Sequence, residues 1–235
     1  MKNSFVVLFI LIYTNSSFGQ TANEYIDLSQ KKSESQEYIE AIEYLNKAIE
    51  LDPNLALAYY LRSFAKAKLK DFRGTIADCN VAIQLIPNYA FAYFGRGVAK
   101  SQLGKNLEAI SDFNTAIELD SNQHQFYYFR GCSIAALKDY KKSIYDWNKT
   151  IELSPDFSKA YYQRGRVKDE LKDNSGALSD YSKAINLDPK FAEAYINRGI
   201  IKMVLGDLDG ACYDWSKSGE LGITRSYTLI ENFCN

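Results

Sequence analysis

The sequence has little histidine, proline or cysteine, and each scarcity excludes something. Its 235 residues include one histidine, four prolines and four cysteines. So few prolines argue against long irregular stretches. No Cys/His cluster has the spacing of metal ligands, and no glycine-rich loop of the phosphate-binding kind is present. We therefore expect no metal site and no other cofactor.

An excess of one charge is also lacking. The 28 basic and 29 acidic residues give a net charge of −1. Nucleic acids and anionic membrane surfaces attract proteins with a basic face, so neither is expected as a partner. The acidic residues recur at even spacing rather than as a close pair, and no catalytic constellation is present. The chain is therefore predicted to be non-catalytic, with no small-molecule substrate.

The apolar run near the N-terminus, residues 5–12, is far shorter than the ~20 residues of a membrane-spanning helix. It follows a basic residue and precedes small polar residues that end at Gly19, which is the layout of a secretory signal peptide. We predict cleavage between Gly19 and Gln20, and export to the periplasm or the cell exterior. The alternative is that residues 1–19 remain as an anchor, and only then would the protein associate with a membrane.

A shift of thirty-four residues aligns the chain with itself, giving six copies. Copies one to six are residues 22–55, 56–89, 90–123, 124–157, 158–191 and 192–225, and residues 226–235 form a C-terminal capping segment. Position four of every copy is tyrosine, position eight is small, position thirty is leucine, and all four prolines fall at position thirty-two. Such a period indicates one structural unit that is stacked repeatedly.

In each copy, apolar residues recur at helical spacing over positions four to fourteen and eighteen to thirty-one. This pattern predicts two amphipathic helices. A break such as Leu103-Gly104-Lys105 separates them, and the proline stops the second helix. Small residues at positions eight and twenty let the two helices approach closely. One pair cannot bury its apolar faces alone, so the copies must stack into an all-α solenoid.

The period and the recurring positions resemble the tetratricopeptide repeat, which has glycine at eight, alanine at twenty, an aromatic at twenty-four and proline at thirty-two. The resemblance implies a right-handed α-solenoid of about six helix pairs with a C-terminal capping helix. It also implies a concave groove that binds peptides or protein surfaces. The sequence departs from the family pattern with tyrosine at four and, in five copies, arginine at seven. The first copy lacks glycine at eight, which suits a terminal repeat.

Position seven is arginine and position twenty-three is aspartate in five copies, whereas copy one has Leu28 and Tyr44 there. Because the two positions change character together, we infer that they touch. Structural ion pairs are the favoured interpretation, and a ladder of anion-binding arginines is the alternative. The predicted pairs are Arg62–Asp78, Arg96–Asp112, Arg130–Asp146, Arg164–Asp180 and Arg198–Asp214.

The family resemblance places the ligand groove on positions two, five, nine and twelve of the first helix of each copy. Carried onto this sequence, the groove residues are Leu57, Tyr60, Phe64, Phe91, Phe94, Val98, Tyr128, Cys132, Lys159, Tyr162, Arg166 and Ile196. The first half of this set is apolar and the second half includes charge, which suits an extended or amphipathic peptide with an apolar anchor. The alternative for the aromatic members is packing between adjacent first helices.

The four cysteines divide into two sets. Cys79 falls at a core position and Cys132 in the predicted groove, at least one helical layer apart, so both are expected to be free thiols. In the C-terminal segment Tyr227, Ile230 and Cys234 share one helical face, which predicts a cap docked on copy six. A Cys212–Cys234 disulfide would pin this cap, and two reduced thiols are the alternative.

Two functions are open from the sequence. The first is a non-catalytic interaction scaffold that binds a protein or peptide in its concave groove outside the cytoplasm. The second is a structural component of an envelope assembly that acts through its ends or its convex face. The fold names no partner.

Overall fold

Helices make up nearly all of the computed structural model, which describes residues 20–234. That range holds thirteen α-helices and no strand, and none of the thirteen is long and apolar enough to span a membrane. The predicted signal segment, residues 1–19, lies outside the described residues. In chain order the helices are α1 (Ala22–Glu34), α2 (Tyr38–Leu51), α3 (Ala56–Lys68), α4 (Phe72–Leu85), α5 (Ala90–Gln102), α6 (Asn106–Leu119), α7 (His124–Ala136), α8 (Tyr140–Leu153), α9 (Ser158–Glu170), α10 (Asn174–Leu187), α11 (Ala192–Val204), α12 (Leu208–Glu220) and α13 (Arg225–Phe233).

Each copy supplies two helices that pack side by side, and the copies stack in chain order. Every second helix also packs on the first helix of the next copy, and α13 packs on α12. From α3 onward, the first helices of successive copies contact one another more than the second helices do. The first helices therefore line the inner side of an all-α solenoid, and α13 covers its C-terminal end.

Side-chain caps and extended backbone mark the ends of the second helices. Asp71, Asp139, Asp173 and Asp207 each precede one and accept a hydrogen bond from the backbone N–H three residues later, at 2.9–3.3 Å. A cap of this kind is worth about 1 kcal/mol. The residue before each proline lies at φ −132° to −143°, as the proline ring favours. Copy three has Ser121 instead of proline, yet α6 ends at the same position, so the repeat geometry also sets this end.

The first helices begin at position one, three residues earlier than the periodicity predicts, and end at position thirteen. Position fifteen then has positive φ in every copy and turns the chain. Glycine takes this conformation in copies three and six, at φ 76° for Gly104 and 86° for Gly206. Lys70, Lys138 and Lys172 adopt it at 63°, 63° and 64°. An L-residue other than glycine is strained there by roughly 1–2 kcal/mol, so the turn is imposed by the packed helices on either side.

Position twenty-four forms the centre of each copy, with side chains 0–1% exposed. These residues are Leu45, Cys79, Phe113, Trp147, Tyr181 and Trp215. Position eight faces them: a Cβ on Gly199 would lie 2.6 Å from Nε1 of Trp215, so only glycine fits beside that ring. Copies one and two have Ser29 and Ser63 at position eight, and there position twenty-four is a smaller Leu or Cys. The two positions therefore complement each other in size, as close packing requires.

Candidate functional site

Each of the five arginines at position seven forms a bidentate ion pair with the aspartate sixteen residues later. Nη2 donates to Oδ1 at 2.6–2.7 Å and Nε donates to Oδ2 at 2.8–3.0 Å in all five. The aspartates are at most 4% exposed. The structure thus joins Arg62 to Asp78, Arg96 to Asp112, Arg130 to Asp146, Arg164 to Asp180 and Arg198 to Asp214. Such forked, charge-assisted contacts fix the geometry of both side chains.

A third contact links each arginine to the preceding copy. Nη1 of Arg62 donates to Oδ1 of Asn46 at 2.7 Å, and the next three arginines bind Asn80, Asn114 and Asn148 in the same way. Arg198 meets Ser182 instead, at 3.3 Å. Each arginine therefore clamps two copies together. Copy one has Leu28 and Tyr44 at the two positions and therefore lacks this clamp.

Each of these guanidinium groups also lies over a tyrosine ring. Each stands 5.2–5.6 Å from the ring centroid of the tyrosine at position four, as in a cation–π contact. The hydrogen bonds that Arg96 donates to the Asp112 carboxylate raise the pKa of Arg96. Lysines at position eleven, such as Lys66 at 2.8 Å from Asp78, add a second cation in four copies, whereas copy four has Ile134. With all three nitrogens of each guanidinium hydrogen-bonded within the fold, the contacts favour structural ion pairs over an anion-binding ladder.

The predicted groove residues differ in exposure. Leu57, Phe64, Lys159 and Arg166 are exposed, and Tyr60, Phe91, Phe94, Val98, Cys132 and Tyr162 are half-buried. Tyr128 and Ile196 are only 8% and 7% exposed, so the prediction that they line the groove is wrong for these two. The Tyr128 ring packs edge-on against Phe157 at 5.0 Å, and Ile196 packs against Trp215. These contacts lie within one copy, and Val167 of copy five and Leu229 of the C-terminal helix complete the two clusters.

Several position-five aromatics join adjacent copies, which is the alternative that the sequence left open. The ring centroids of Tyr60 and Phe91 of the next copy are 6.4 Å apart, and Asn197 of copy six donates to the Tyr162 hydroxyl at 3.3 Å. Phe94 lies between the two roles, because it packs on the next copy and also lines a pocket. Position five thus contributes more to stacking than the family resemblance implies.

A pocket of about 570 Å³ opens between α3, α5 and α7 in the N-terminal half of the groove. Four predicted groove residues, Tyr60, Phe64, Phe94 and Val98, line it together with Phe129. Its size falls in the range of roughly 300–1,000 Å³ that is typical of ligand sites, and its walls are mostly apolar. Burial raises the pKa of Tyr60 to about 12, so this hydroxyl stays neutral. We call this cavity the first pocket.

The first pocket is deep because the core of copy two is small. It reaches the buried Ser63 and Thr75, whose hydroxyl donates to the Ser63 carbonyl at 3.3 Å. In the same copy, Cys79 occupies the position that holds an aromatic ring in copies three to six. Gly95 also lines the pocket, and a Cβ there would lie 3.3 Å from the Cys79 sulfur. The small side chains at these positions enlarge the space between α3, α5 and α7.

A second pocket of about 350 Å³ lies between α7, α8 and α9. The predicted groove residues Cys132 and Arg166 line it, with Trp147, Gln163 and Glu170. Nη1 of Arg166 donates to the side-chain Oε1 of Gln163 at 3.1 Å. Burial raises the pKa of the Cys132 thiol to about 11, so it is protonated and a poor nucleophile near neutral pH. The pocket is lined by both Arg166 and Glu170 and therefore favours neither an acidic nor a basic ligand.

The helix α13 docks on copy six as a cap. Leu229 and Ile230 pack into the cluster around Trp215, and the ring of Phe233 lies 6.0 Å from that of Trp215. Tyr227, which the helical spacing placed on the docking face, is 52% exposed and only borders the last turn of α12. The docking face is therefore rotated from the predicted one toward Leu229 and Phe233.

The cysteines pair at the cap and nowhere else among residues 20–234. Cys212 and Cys234 form a disulfide with their Cα atoms 5.8 Å apart, and this bond ties α13 to α12. Cys79 is buried and Cys132 half-buried, and both are free. In the same described range, no three His, Cys, Asp or Glu side chains are grouped as metal ligands could be.

Solved structures share this architecture. PilW, a type IV pilus biogenesis factor, superposes with a TM-score of 0.81 at 17% identity, covering 90% of this chain and 99% of its own. YrrB, described as a TPR protein with an unusual peptide-binding site, gives 0.63 at 20% identity over 80% of this chain and 97% of its own. MamA from Desulfovibrio magneticus RS-1 gives 0.66 at 20% identity over 74% and 98%. At such identities these similarities concern the fold.

Sequence comparisons point the same way. No curated protein matches the chain. Family models do: one described as a tetratricopeptide repeat matches residues 25–55 and 92–123, and one described as a TPR repeat matches residues 170–206. The matched segments fall in copies one and three and across copies five and six, within the same period of thirty-four residues. Together with the stacked helix pairs, these matches show that the chain contains tetratricopeptide repeats.

Proposed function

We propose that the protein is an interaction scaffold that binds a segment of another protein in the groove formed by its first helices. The first pocket carries this proposal, because a concave apolar site with an exposed ring such as Phe64 favours an apolar partner. YrrB, which shares the fold, is described as having a peptide-binding site, and this supports the same class of function here.

The proposed scaffold is non-catalytic. The hydroxyl of Ser63 donates to the Tyr60 carbonyl at 2.6 Å and that of Thr75 donates to the Asp71 carbonyl at 2.8 Å. No acid and no histidine lines the first pocket. A hydroxyl nucleophile needs a base within hydrogen-bond reach. The pocket chemistry therefore supports binding rather than bond making.

A direct test compares the groove with the outer surface. A photo-crosslinking residue replaces Phe64 in one variant and Leu107, which is 73% exposed on α6, in a matched control. We expect a partner to crosslink at position 64 and not at position 107, because only the first lies in the pocket. Crosslinking at 107 alone would move the contact to the second helices and overturn groove binding.

We also infer that the protein acts outside the cytoplasm. The Cys212–Cys234 bond supports this location, because structural disulfides persist in oxidising compartments. The signal-like pattern of residues 1–19 supports it independently. Mass spectrometry of protein recovered from the exported fraction should give a chain that begins at Gln20 with two free thiols. A full-length chain with four free thiols in the cytoplasm would contradict the proposal.

A structural role in an assembly is the second candidate. Apolar side chains stand out from several second helices: Ile39, Leu107, Tyr145 and Tyr213 are 66%, 73%, 66% and 58% exposed. They lie on different copies, and the disulfide-tied α13 covers the C-terminal end of the stack. Light scattering at two protein concentrations decides the matter, because self-assembly would raise the mass with concentration.

A further inference from the structure

The charged residues around the first pocket are all of one sign. Lys68 and Lys70 line it, and no acidic residue does. The Nζ of Lys68 stands 5.1 Å above the ring of Phe64, at the edge of the apolar wall. Both lysines are exposed. The site therefore combines an apolar interior with a positive rim.

No acid of the described chain neutralises this rim. The ion pairs of residues 20–234 include Lys66 with Asp78, on the opposite side of α3, but none made by Lys68 or Lys70. The acid next in sequence, Asp71, caps α4 by accepting from the Gly74 N–H at 2.9 Å. The two ammonium groups are thus left to solvent or to a partner.

Of the other predicted groove cations, Lys159 lines neither pocket, and Arg166 is a weaker candidate for recognition. It stacks on Tyr162 at 6.0 Å and binds Gln163, and Glu170 shares its pocket. An acidic ligand would meet the Glu170 carboxylate there. Charge complementarity therefore distinguishes the first pocket from the second.

We propose that the first pocket receives a large apolar side chain of an extended peptide, and that acidic residues next to this anchor meet Lys68 and Lys70. The proposal rests on the groove-binding function above and specifies the chemistry of the partner. An extended chain advances ~3.3 Å per residue, so a carboxylate one or two residues from the anchor reaches the rim. Opposite charge at a rim chiefly raises the association rate and the selectivity.

The experiment pans a library of random heptapeptides on the purified protein, on a Lys68→Glu, Lys70→Glu variant and on a control, Lys138→Glu. Lys138 holds the same turn position in copy four with the same φ of 63°, outside the pocket. We expect peptides with an aromatic or leucine residue beside Asp or Glu from the wild type and the control. Synthetic winners should bind the double variant at least ten-fold more weakly by fluorescence polarisation, and peptides with Lys for Glu should prefer it.

Phe64→Ala separates the possible failures, because this side chain is 44% exposed and its removal leaves the fold intact, as thermal melting should show. Enriched peptides without acidic bias that still need Phe64 would overturn the charge proposal and leave groove binding standing. Enriched peptides that bind the double variant as tightly as the wild type would also overturn the charge proposal and leave groove binding standing. Absence of any Phe64-dependent peptide would overturn both.

Discussion

Copy two and copy four have the same two helices and the same arginine clamp, yet they differ in what fills them. Copy four places Trp147 at its centre against Gly131, and a Cβ on that glycine would lie 2.9 Å from the indole nitrogen. Copy two has Cys79 at the centre and Ser63 in place of the glycine. Beside its aromatic ring, copy four leaves only the second pocket of about 350 Å³, whereas the small centre of copy two accompanies the first pocket of about 570 Å³.

The comparison shows that a repeat can enlarge a site by losing side-chain volume rather than by adding a reactive group. The backbone of the solenoid is held by contacts common to both copies, so copy two keeps its shape although its centre is small. The two pockets also differ in charge. Lys68 and Lys70 beside the first pocket have no acidic partner among the described residues, whereas Arg166 and Glu170 line the second.

The largest expected effect comes from removing the arginine of each copy. In copy four, Arg130 makes the only ion pair of the buried Asp146 among the described residues, whereas in copy two Lys66 still holds Asp78 after Arg62 is lost. Arg130→Ala should lower the free energy of unfolding by about 3–5 kcal/mol, and Arg62→Ala by less. Urea denaturation followed by circular dichroism measures both. Equal losses would show that Lys66 contributes nothing.

A rescue variant sharpens this result. Replacing Arg130 and Asp146 together by leucine removes both charges, and most of the stability should return because no buried charge is left unpaired.

The next effect tests the small centre of copy two. Cys79→Phe alone should cost about 1–3 kcal/mol, because Ser63 occupies the space that the ring needs. Adding Ser63→Gly recreates the pair seen in copy three and should recover most of that loss. Thermal melting of the single and double variants gives the answer. If Ser63→Gly brings no relief, the complementarity of positions eight and twenty-four is not what shapes the pocket.

A smaller effect separates strain from recognition. Lys70 and Lys138 share a φ of 63°, so Lys70→Gly and Lys138→Gly should each stabilise the fold by about 0.5–1 kcal/mol. Only Lys70→Gly should also weaken the binding of an acidic peptide, since only Lys70 lines the first pocket. Chemical denaturation and peptide titration of the same two variants report the two effects separately.

The smallest effect should be alike in the two copies. Burial raises the pKa of the thiols of Cys79 and Cys132 to about 11, above the value near 8.5 of an unfolded chain. The unfolded state then loses these protons first as the pH rises. Stability from both thiols is therefore complete below pH ~8.5 and falls between about pH 9 and 11. Cys79→Ser and Cys132→Ser should each make that fall shallower in unfolding titrations, and a steeper fall would reverse the sign.

Contacts within a copy were accessible to sequence reasoning. The joint replacement of Arg and Asp by Leu28 and Tyr44 indicated that the two positions touch, and the structure places them in a forked ion pair. The periodicity likewise predicted the helix pairs, although it placed the first helices three residues late. Periodicity weakens at a helix start, where backbone capping rather than the apolar stripe sets the boundary.

Contacts between copies were harder to predict. Asn46 and its equivalents recur at position twenty-five in four copies, so a signal existed for the third arm of the clamp, but nothing in the sequence joined it to the next copy's arginine. Tyr128 and Ile196 match the groove positions of the family and are nonetheless buried by neighbours from the adjoining copy and the C-terminal cap.

The sequence by itself determined the period, the helix pairs, the small residues at positions eight and twenty and the identity of each charged partner within a copy. These depend on residues a few turns apart, whose spacing along a helix is fixed by its geometry. Only the tertiary structure decided which groove side chains stay exposed, where α13 docks and that Cys79 and Gly95 leave an open pocket. Those outcomes depend on how copies rotate against one another, and that rotation is set by the sum of many contacts between copies.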